Sequence, residues 1–414
     1  MAIRADTIVL GAGMVGVSTA LALQARGRDV VMLERLGRAG RETSYGNAGL
    51  IERASVSLYT FPHEPALLMK TVLGFAPQAR IDWARLPAIA PWLWAYFRES
   101  APERARAHAA AALPLIARCV SEHEALAQAA EAGALLRHKG WLKAYRSQKT
   151  LAAALEDARG LADYGLAVSA LDAQALAARE RDLAGFVGAI HFADPVSCID
   201  PGGLVEAYAA LFAARGGRMF TGDARGLEAS GQGWRVGSDN GPIEAREAVV
   251  ALGPWSDSLL RLLGCDAPLG FKRGYHMHYA PRPGASLSQP VLDADGGYLL
   301  APMARGIRLT TGAEFSTRDA PPSPVMLDRV EPVARRTFPL GARIDAAPWM
   351  GARPCLPDLL PVIGPAPRHA GLWFNFGHQH HGFTLGPVTG RLLAEMMTGE
   401  APFCDPAPFA PTRF

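Results

Sequence analysis

Three glycines, Gly11, Gly13 and Gly16, stand in the spacing G-x-G-x-x-G between an apolar run, Thr7 to Leu10, and residues Val15, Ala20, Leu21 and Leu23 at helical spacing. In a strand–turn–helix that binds a dinucleotide, each has a separate task. Gly11 makes the tight turn, Gly13 lets backbone N–H groups approach a pyrophosphate at the helix N-terminus, and Gly16 lets the helix pack closely on the strand. Met14 and Val15 complete the turn as cofactor contacts. Glu34 ends the next apolar run, Asp29 to Glu34, where its carboxylate accepts from ribose hydroxyls and repels a 2′-phosphate. The pattern favours FAD or NAD over NADP.

Three further stretches carry groups suited to a flavin. Arg41 to Gly49, RETSYGNAG, is a short polar loop whose amides, with Ser44 and Asn47, can lie along a phosphate and a flavin edge. Arg35, Thr43, Ala48, Gly49 and Leu50 are expected to contact the cofactor with them. In VVALGPWSD, Val249 to Asp257, small residues at a strand end let the chain pass close over a cofactor. Ala251, Gly253 and Trp255 are the expected contacts there, with Ala224 from the preceding segment. FNFGHQHHGFTLGPVTG, Phe374 to Gly390, predicts a strand ending at Gly377 and a helix from near Thr384. The helix dipole then faces the flavin edge where negative charge gathers on reduction, with Gly377, His378, Gly382, Phe383 and Thr384 in contact.

The chain that must position these groups has 414 residues, 49% apolar and 20% charged. It is long enough for two or three domains and too apolar to be disordered. Forty-two basic against 39 acidic residues leave +3 over the whole length, so nucleic acid is not an expected partner. Five scattered cysteines with no C-x-x-C pair exclude a disulfide framework and argue for a reducing, cytoplasmic setting. The opening is a β-α-β unit. From about Pro65 to Ala184 the text is Ala-rich and Leu-punctuated, and predicts a mostly helical insertion. Asp200 and Pro201 start a helix running to Arg215, and strands are expected at Arg218 to Phe220, Trp234 to Val236, Glu247 to Leu252, Lys272 to Tyr279 and Ile307 to Gly312.

Taken in order, DTIVLGAGMVGVSTALALQARGRDVVMLER, RETSYGNAG, IDPGGL, VVALGPWSD, GARPCLPDLLPVIG and GHQHHGFTLGPVTG resemble the D-amino acid oxidase family of FAD flavoproteins, most closely its bacterial D-amino acid dehydrogenase branch. The resemblance runs from residue 5 to about 399. It implies an α/β fold: a Rossmann-like FAD-binding domain from residues 1–64, 187–268 and 350–414, and an α+β substrate domain on an antiparallel sheet from 65–186 and 269–349. It implies non-covalent FAD and oxidation of the Cα–N bond of a D-amino or D-imino acid by hydride transfer to the flavin. Cys355 does not align with the cysteine that links flavin covalently in the sarcosine-oxidising relatives.

By position Arg353 is similar to the arginine with which such enzymes hold the substrate carboxylate, and a guanidinium suits a bidentate grip on it. Tyr275 and Tyr298 are expected either to line the pocket or to be core tyrosines with satisfied hydroxyls. His378 is placed next to the flavin, to donate to it or to relay the amine proton. With His380 and His381 it forms no metal set, since no Cys, Asp or Glu stands nearby. The acceptor is oxygen or a quinone. Trp83 to Phe97 reads either as packing within the helical region or as a peripheral contact with the inner membrane. A glycine- or sarcosine-type oxidase, a D-hydroxyproline dehydrogenase and a non-catalytic FAD subunit are the alternatives, and the oligomeric state stays open.

Overall fold

The computed structural model describes every residue except Met1, Ser57 and Gln232. Its first sheet is built on near-continuous apolar strands, as a sheet covered on both faces requires. Arg218–Thr221, Val30–Glu34, Ile3–Leu10, Gly241–Val250 and Leu372–Phe376 lie side by side and parallel. Val362–Pro365 closes one edge antiparallel to Leu372–Phe376, and the hairpin Glu228–Ser230/Gly233–Ser238 pairs with Gly241–Val250. The C-terminal ends of the parallel strands open at one rim, where ligands sit in such sheets.

Two helices converge on that rim. Met14–Gln24 follows the first strand, and Gly382–Thr398 lies against it. Glycine sets the closeness: a Cβ on Gly386 would stand 2.6 Å from Met14 Cγ, and one on Gly390 would stand 2.8 Å from the Ser18 backbone. The G-x-x-x-G spacing thus draws two helix N-termini to the same place. The second helix begins at Gly382, two residues before its expected start, after a 3-10 turn at Gln379–His381.

The second sheet is larger. Ala79–Ile81, Ala313–Phe315, Gly270–Pro281, Gly306–Thr311, Tyr298–Met303, Val291–Asp293, Trp141–Tyr145, Gly188–Phe192 and Val168–Asp172 follow in that order, and Leu340–Arg343 and Trp349–Cys355 also pair with Gly270–Pro281. Most pairs are antiparallel, with parallel joins at Ala79–Ile81 and Val291–Asp293. The segment from about Pro65 to Ala184 is mostly helical, as expected. It contains the helices Pro65–Val72, Leu86–Glu99, Pro102–Ala129, Gln148–Arg159 and Ala173–Arg179, but Trp141–Tyr145 and Val168–Asp172 are strands of this sheet. Their Ala-rich flanks hide two five-residue strands whose partners lie elsewhere in the chain. Gly188–Phe192 and Trp349–Cys355, expected within the cofactor-binding part, pair into the second sheet as well.

The faces of this sheet decide the site. On Gly270–Pro281, Tyr275, Met277 and Tyr279 pack with Leu309, Leu327 and Val330 beneath the helix Val325–Thr337. Alternation turns Lys272, Gly274 and His276 to the opposite face, toward the first sheet.

Candidate active site

Between the two sheets runs a cavity of about 1840 Å³. One end is built from the dinucleotide turn. Gly11 has φ +99, and a Cβ there would meet the Ala251 carbonyl oxygen at 2.7 Å. No side chain caps Gly13, which opens the Met14–Gln24 helix, although Ser44 Oγ accepts from Met14 N at 3.0 Å. Glu34 is buried; its Oε2 accepts from Ala12 N at 2.8 Å and its Oε1 from Leu36 N at 3.2 Å. This holds the carboxylate on the lip of the turn. Arg35 stacks its guanidinium 3.9 Å over Trp255 and pairs with Glu42.

The expected cofactor residues gather along this cavity. Met14, Val15, Thr43, Asn47, Ala48, Leu50, Ala224, Ala251, Gly253, Gly377, Gly382, Phe383 and Thr384 all line it. Gly16 and Gly49 do not. Gly16 sits against the Gly11 carbonyl and serves packing, and Gly49, at φ +76, turns the chain against Cys198. Two uncapped helix N-termini, a glycine cradle and a carboxylate at a strand end suit an adenine dinucleotide, with the Gly382–Thr398 helix at the ring end.

The loop that follows Ser44 is braced from the second sheet. Arg308 donates to the carbonyls of Tyr45 and Asn47, and its Nε donates to His278 Nε2 at 3.0 Å. His278 Nδ1 in turn meets Asp345 at 2.7 Å. His276, His278 and Asp345 cluster tightly enough to suggest a metal ligand set. Both nitrogens of His278 are already engaged, so the cluster reads as a strut. Trp349 stacks on His276 at 4.8 Å and covers Gly46.

The far end of the cavity carries charge without partners. Arg353 and Lys272 face each other across paired strands. The Arg353 guanidinium lies over Gly274, and its Nη1 is shielded from solvent without a hydrogen-bond partner. Lys272 is 2% exposed; its Nζ donates to Tyr96 Oη at 2.7 Å, and burial lowers it to about 8. From the other wall comes Glu52. Trp141 Nε1 donates to its Oε1 at 3.0 Å, and burial raises its carboxyl to about 7 against the pull of that bond and of Lys143. His380 and His381 close the end, with Ser55 Oγ 2.8 Å from His381 Nε2.

Tyr275 and Tyr298, left open between pocket and core, border the cavity yet belong to the core cluster beneath the helix Val325–Thr337. Tyr275 Oη donates to Glu314 at 2.9 Å and accepts from Ser323 N, while Tyr298 Oη bonds Thr337 Oγ1 at 2.7 Å. Their hydroxyls are satisfied away from the site, as cross-strand alternation from Gly274 requires. His378 lines the cavity, but its Nε2 is held by Thr389 Oγ1 at 3.0 Å, and burial lowers it to about 3. The sequence reading missed Glu52, Lys272, Gly274 and Arg308. Glu52 alone had a local signal, an acid in the apolar run LIE directly after the flavin loop.

The stretch Trp83 to Phe97 divides. Trp92, Tyr96 and Phe97 pack with Phe61 and Phe315, whereas Trp83 and Trp94 are 53% and 62% exposed. Among the described residues no helix is long and apolar enough to cross a membrane.

Residues 6–396 match the family described as DAO, FAD dependent oxidoreductase. A D-amino-acid oxidase of Bradyrhizobium diazoefficiens is 31% identical over 423 residues, covering 98% of each chain. D-amino acid dehydrogenase 2 of Mesorhizobium japonicum is 31% identical over 419 residues, covering 96% of this chain and 97% of its own. In three dimensions the chain is similar to glycine oxidase from Geobacillus kaustophilus, with TM-score 0.76 at 21% identity over 100% of this chain and 99% of that one. L-proline dehydrogenase from P. horikoshii gives TM-score 0.72 at 16% identity over 100% and 98%. At these identities the structures speak for the fold.

Proposed function

The chain belongs to the DAO family of FAD-dependent oxidoreductases, and from that premise we propose that it oxidises a D-amino or D-imino acid, yielding an imino acid that water converts to the 2-oxo acid. FAD held by the Gly11–Gly13 turn, Glu34 and the Gly382–Thr398 helix would supply the two-electron acceptor for the Cα hydrogen. The chain's own residues bind, orient and exclude water. The observation that carries the substrate class is Arg353, whose unpartnered Nη1 waits in the cavity wall for an acceptor. A carboxylate supplies two, and the fork fixes which Cα–H meets the ring. With substrate held at near-attack distance, placement carries most of the rate.

The test is anaerobic absorbance of the yellow holoprotein during addition of D-amino acids, D-proline analogues, their L-isomers and sarcosine, one at a time. Bleaching by D-substrates alone is expected; bleaching by L-isomers or sarcosine alone overturns the reading. Arg353→Ala is expected to keep FAD and lose most turnover. Reoxidation falls to oxygen or a quinone. The outward Trp83 and Trp94 support a quinone reached at a membrane surface. Flotation with liposomes that leaves the protein entirely behind removes that part.

A further inference from the structure

Glu52 is 6% exposed, with one oxygen on Trp141 and the other without a hydrogen-bond partner among the described residues. Glu52 lines the cavity. Among the described residues no lysine, arginine or histidine nitrogen comes within ion-pair distance of it. A carboxylate withdrawn from water without a cation costs several kcal/mol, and a single indole N–H offsets only part. The sheet wall holds the reverse. Lys272 and Arg353 stand paired, with no acid on either among the described residues. An acid lacking a cation and two cations lacking an acid, on different walls of one cavity, are complementary to a zwitterion.

We propose that Glu52 holds the substrate's ammonium group and accepts its proton, making the amine neutral before the hydride leaves Cα. This rests on the amino-acid reading above. One N–H bond of the ammonium breaks and one O–H bond forms on Glu52, while the electron pair stays on nitrogen. That pair forms the C=N bond as the Cα hydrogen departs to FAD with its two electrons. The carboxylic acid returns its proton to water once product leaves.

Other titratable groups packed around Glu52 do not take this role. Lys143 on Trp141–Tyr145 favours the charged carboxylate. Cys119 on Pro102–Ala129, raised to about 12, stays a thiol, and His123 and His381, lowered to about 4, stay neutral. Among the described residues, Tyr59 on its own loop, Asp157 on Gln148–Arg159, His380, and Lys272 and Arg353 on the sheet line the same cavity.

The test follows anaerobic flavin bleaching of the holoprotein against pH in wild type, Glu52→Gln and Glu52→Asp. Wild type is expected to rise through about pH 7. Glu52→Gln is expected to lose that limb and fall roughly 100-fold at neutral pH, with Glu52→Asp recovering part. A second measurement needs no turnover. 2-Aminoisobutyrate keeps ammonium and carboxylate but has no Cα–H, and isobutyrate keeps the carboxylate alone. Titrated against flavin absorbance, wild type is expected to prefer the zwitterion, and Glu52→Gln to lose that preference with isobutyrate affinity unchanged. In wild type alone the preference is expected to shrink below about pH 7, which carries the test even if the variant fails to fold. A preference constant across that range, or an unchanged pH profile with an unchanged preference in Glu52→Gln, overturns the role of Glu52 and leaves the D-amino-acid reading standing. A wild-type flavin that no amino acid bleaches overturns that reading first, and this inference with it.

Discussion

Gly274→Ala isolates the carboxylate grip without touching the residue that makes it. A methyl group at 274 would stand 2.7 Å from both Nη1 and Nη2 of Arg353 and 3.0 Å from Cζ. Carbon and nitrogen rest near 3.5 Å, so the guanidinium must retreat by about 0.8 Å. It is the far end of a flexible side chain, and Gly274 does not occupy the left-handed region, so the fold absorbs the change. Loss of glycine freedom in the unfolded chain even adds about 0.4–1 kcal/mol of stability. The cost falls on catalysis: a displacement near 1 Å costs on the order of 100-fold, about 2.7 kcal/mol in kcat/KM. Steady-state kinetics with the best D-substrate, beside the flavin spectrum, measures it. The spectrum is expected to stay unchanged while kcat/KM falls. In an Arg353→Ala background the same glycine change is expected to cost almost nothing, because the two act through one group. Wild-type kcat/KM in Gly274→Ala, or an equal loss in both backgrounds, refutes the reasoning.

Glu34→Gln retains an acceptor for Ala12 N–H but removes the charge that grips ribose hydroxyls, so FAD affinity is expected to drop about tenfold, read by fluorescence titration of apoprotein. Acid stability follows from the buried histidines. His123 and His381 lie at about 4, His378 at about 3 and His276 at about 2, each held neutral by burial. The unfolded chain takes up these four protons below about 6.5 and the folded one does not, so their stabilisation is present above that pH and drains as pH falls. Glu52, raised to about 7, works in the opposite sense with one proton between 7 and its ordinary 4.5. The net slope approaches about 4 kcal/mol per pH unit near pH 5. Melting temperatures recorded from pH 8 downward are expected to fall steeply below 6.5, and a flat curve there contradicts the buried-neutral assignment.

The dinucleotide end was legible because its parts are close in sequence. A turn that places N–H groups on a pyrophosphate needs glycines within six residues, and the acid at the next strand's end follows from one β-α-β unit. Of the proposed substrate end, only Arg353 was legible. Lys272 becomes its neighbour through the register of two strands some eighty residues apart, and Glu52 joins them from beside the flavin loop. The alternation in KRGYHMHY does say that Lys272, Gly274 and His276 share a face and Tyr275 the other. Which face meets the cofactor was decided elsewhere, by the helix Val325–Thr337 covering the side of Tyr275 and Tyr298. Trp141–Tyr145 escaped notice for the same cause, since five residues between helices gain their strand character from partners at Val291–Asp293 and Gly188–Phe192.

The distribution of charge explains why the chain keeps an arrangement that folding alone disfavours. Lys272 and Arg353 side by side repel, and both lose hydration. Among the described residues no acid pairs with either, although Arg273, one residue from Lys272 and on the opposite face, is fully paired with Glu314 at 2.6 Å. The fold can therefore place an acid beside a buried cation in this sheet, as Glu314 shows on the core side of this strand. On the proposed reading, negative charge reaches the cavity side from outside, with the substrate's carboxylate. Cations held in place beforehand need no reorganisation when that charge arrives, which is the condition under which they lower the barrier most.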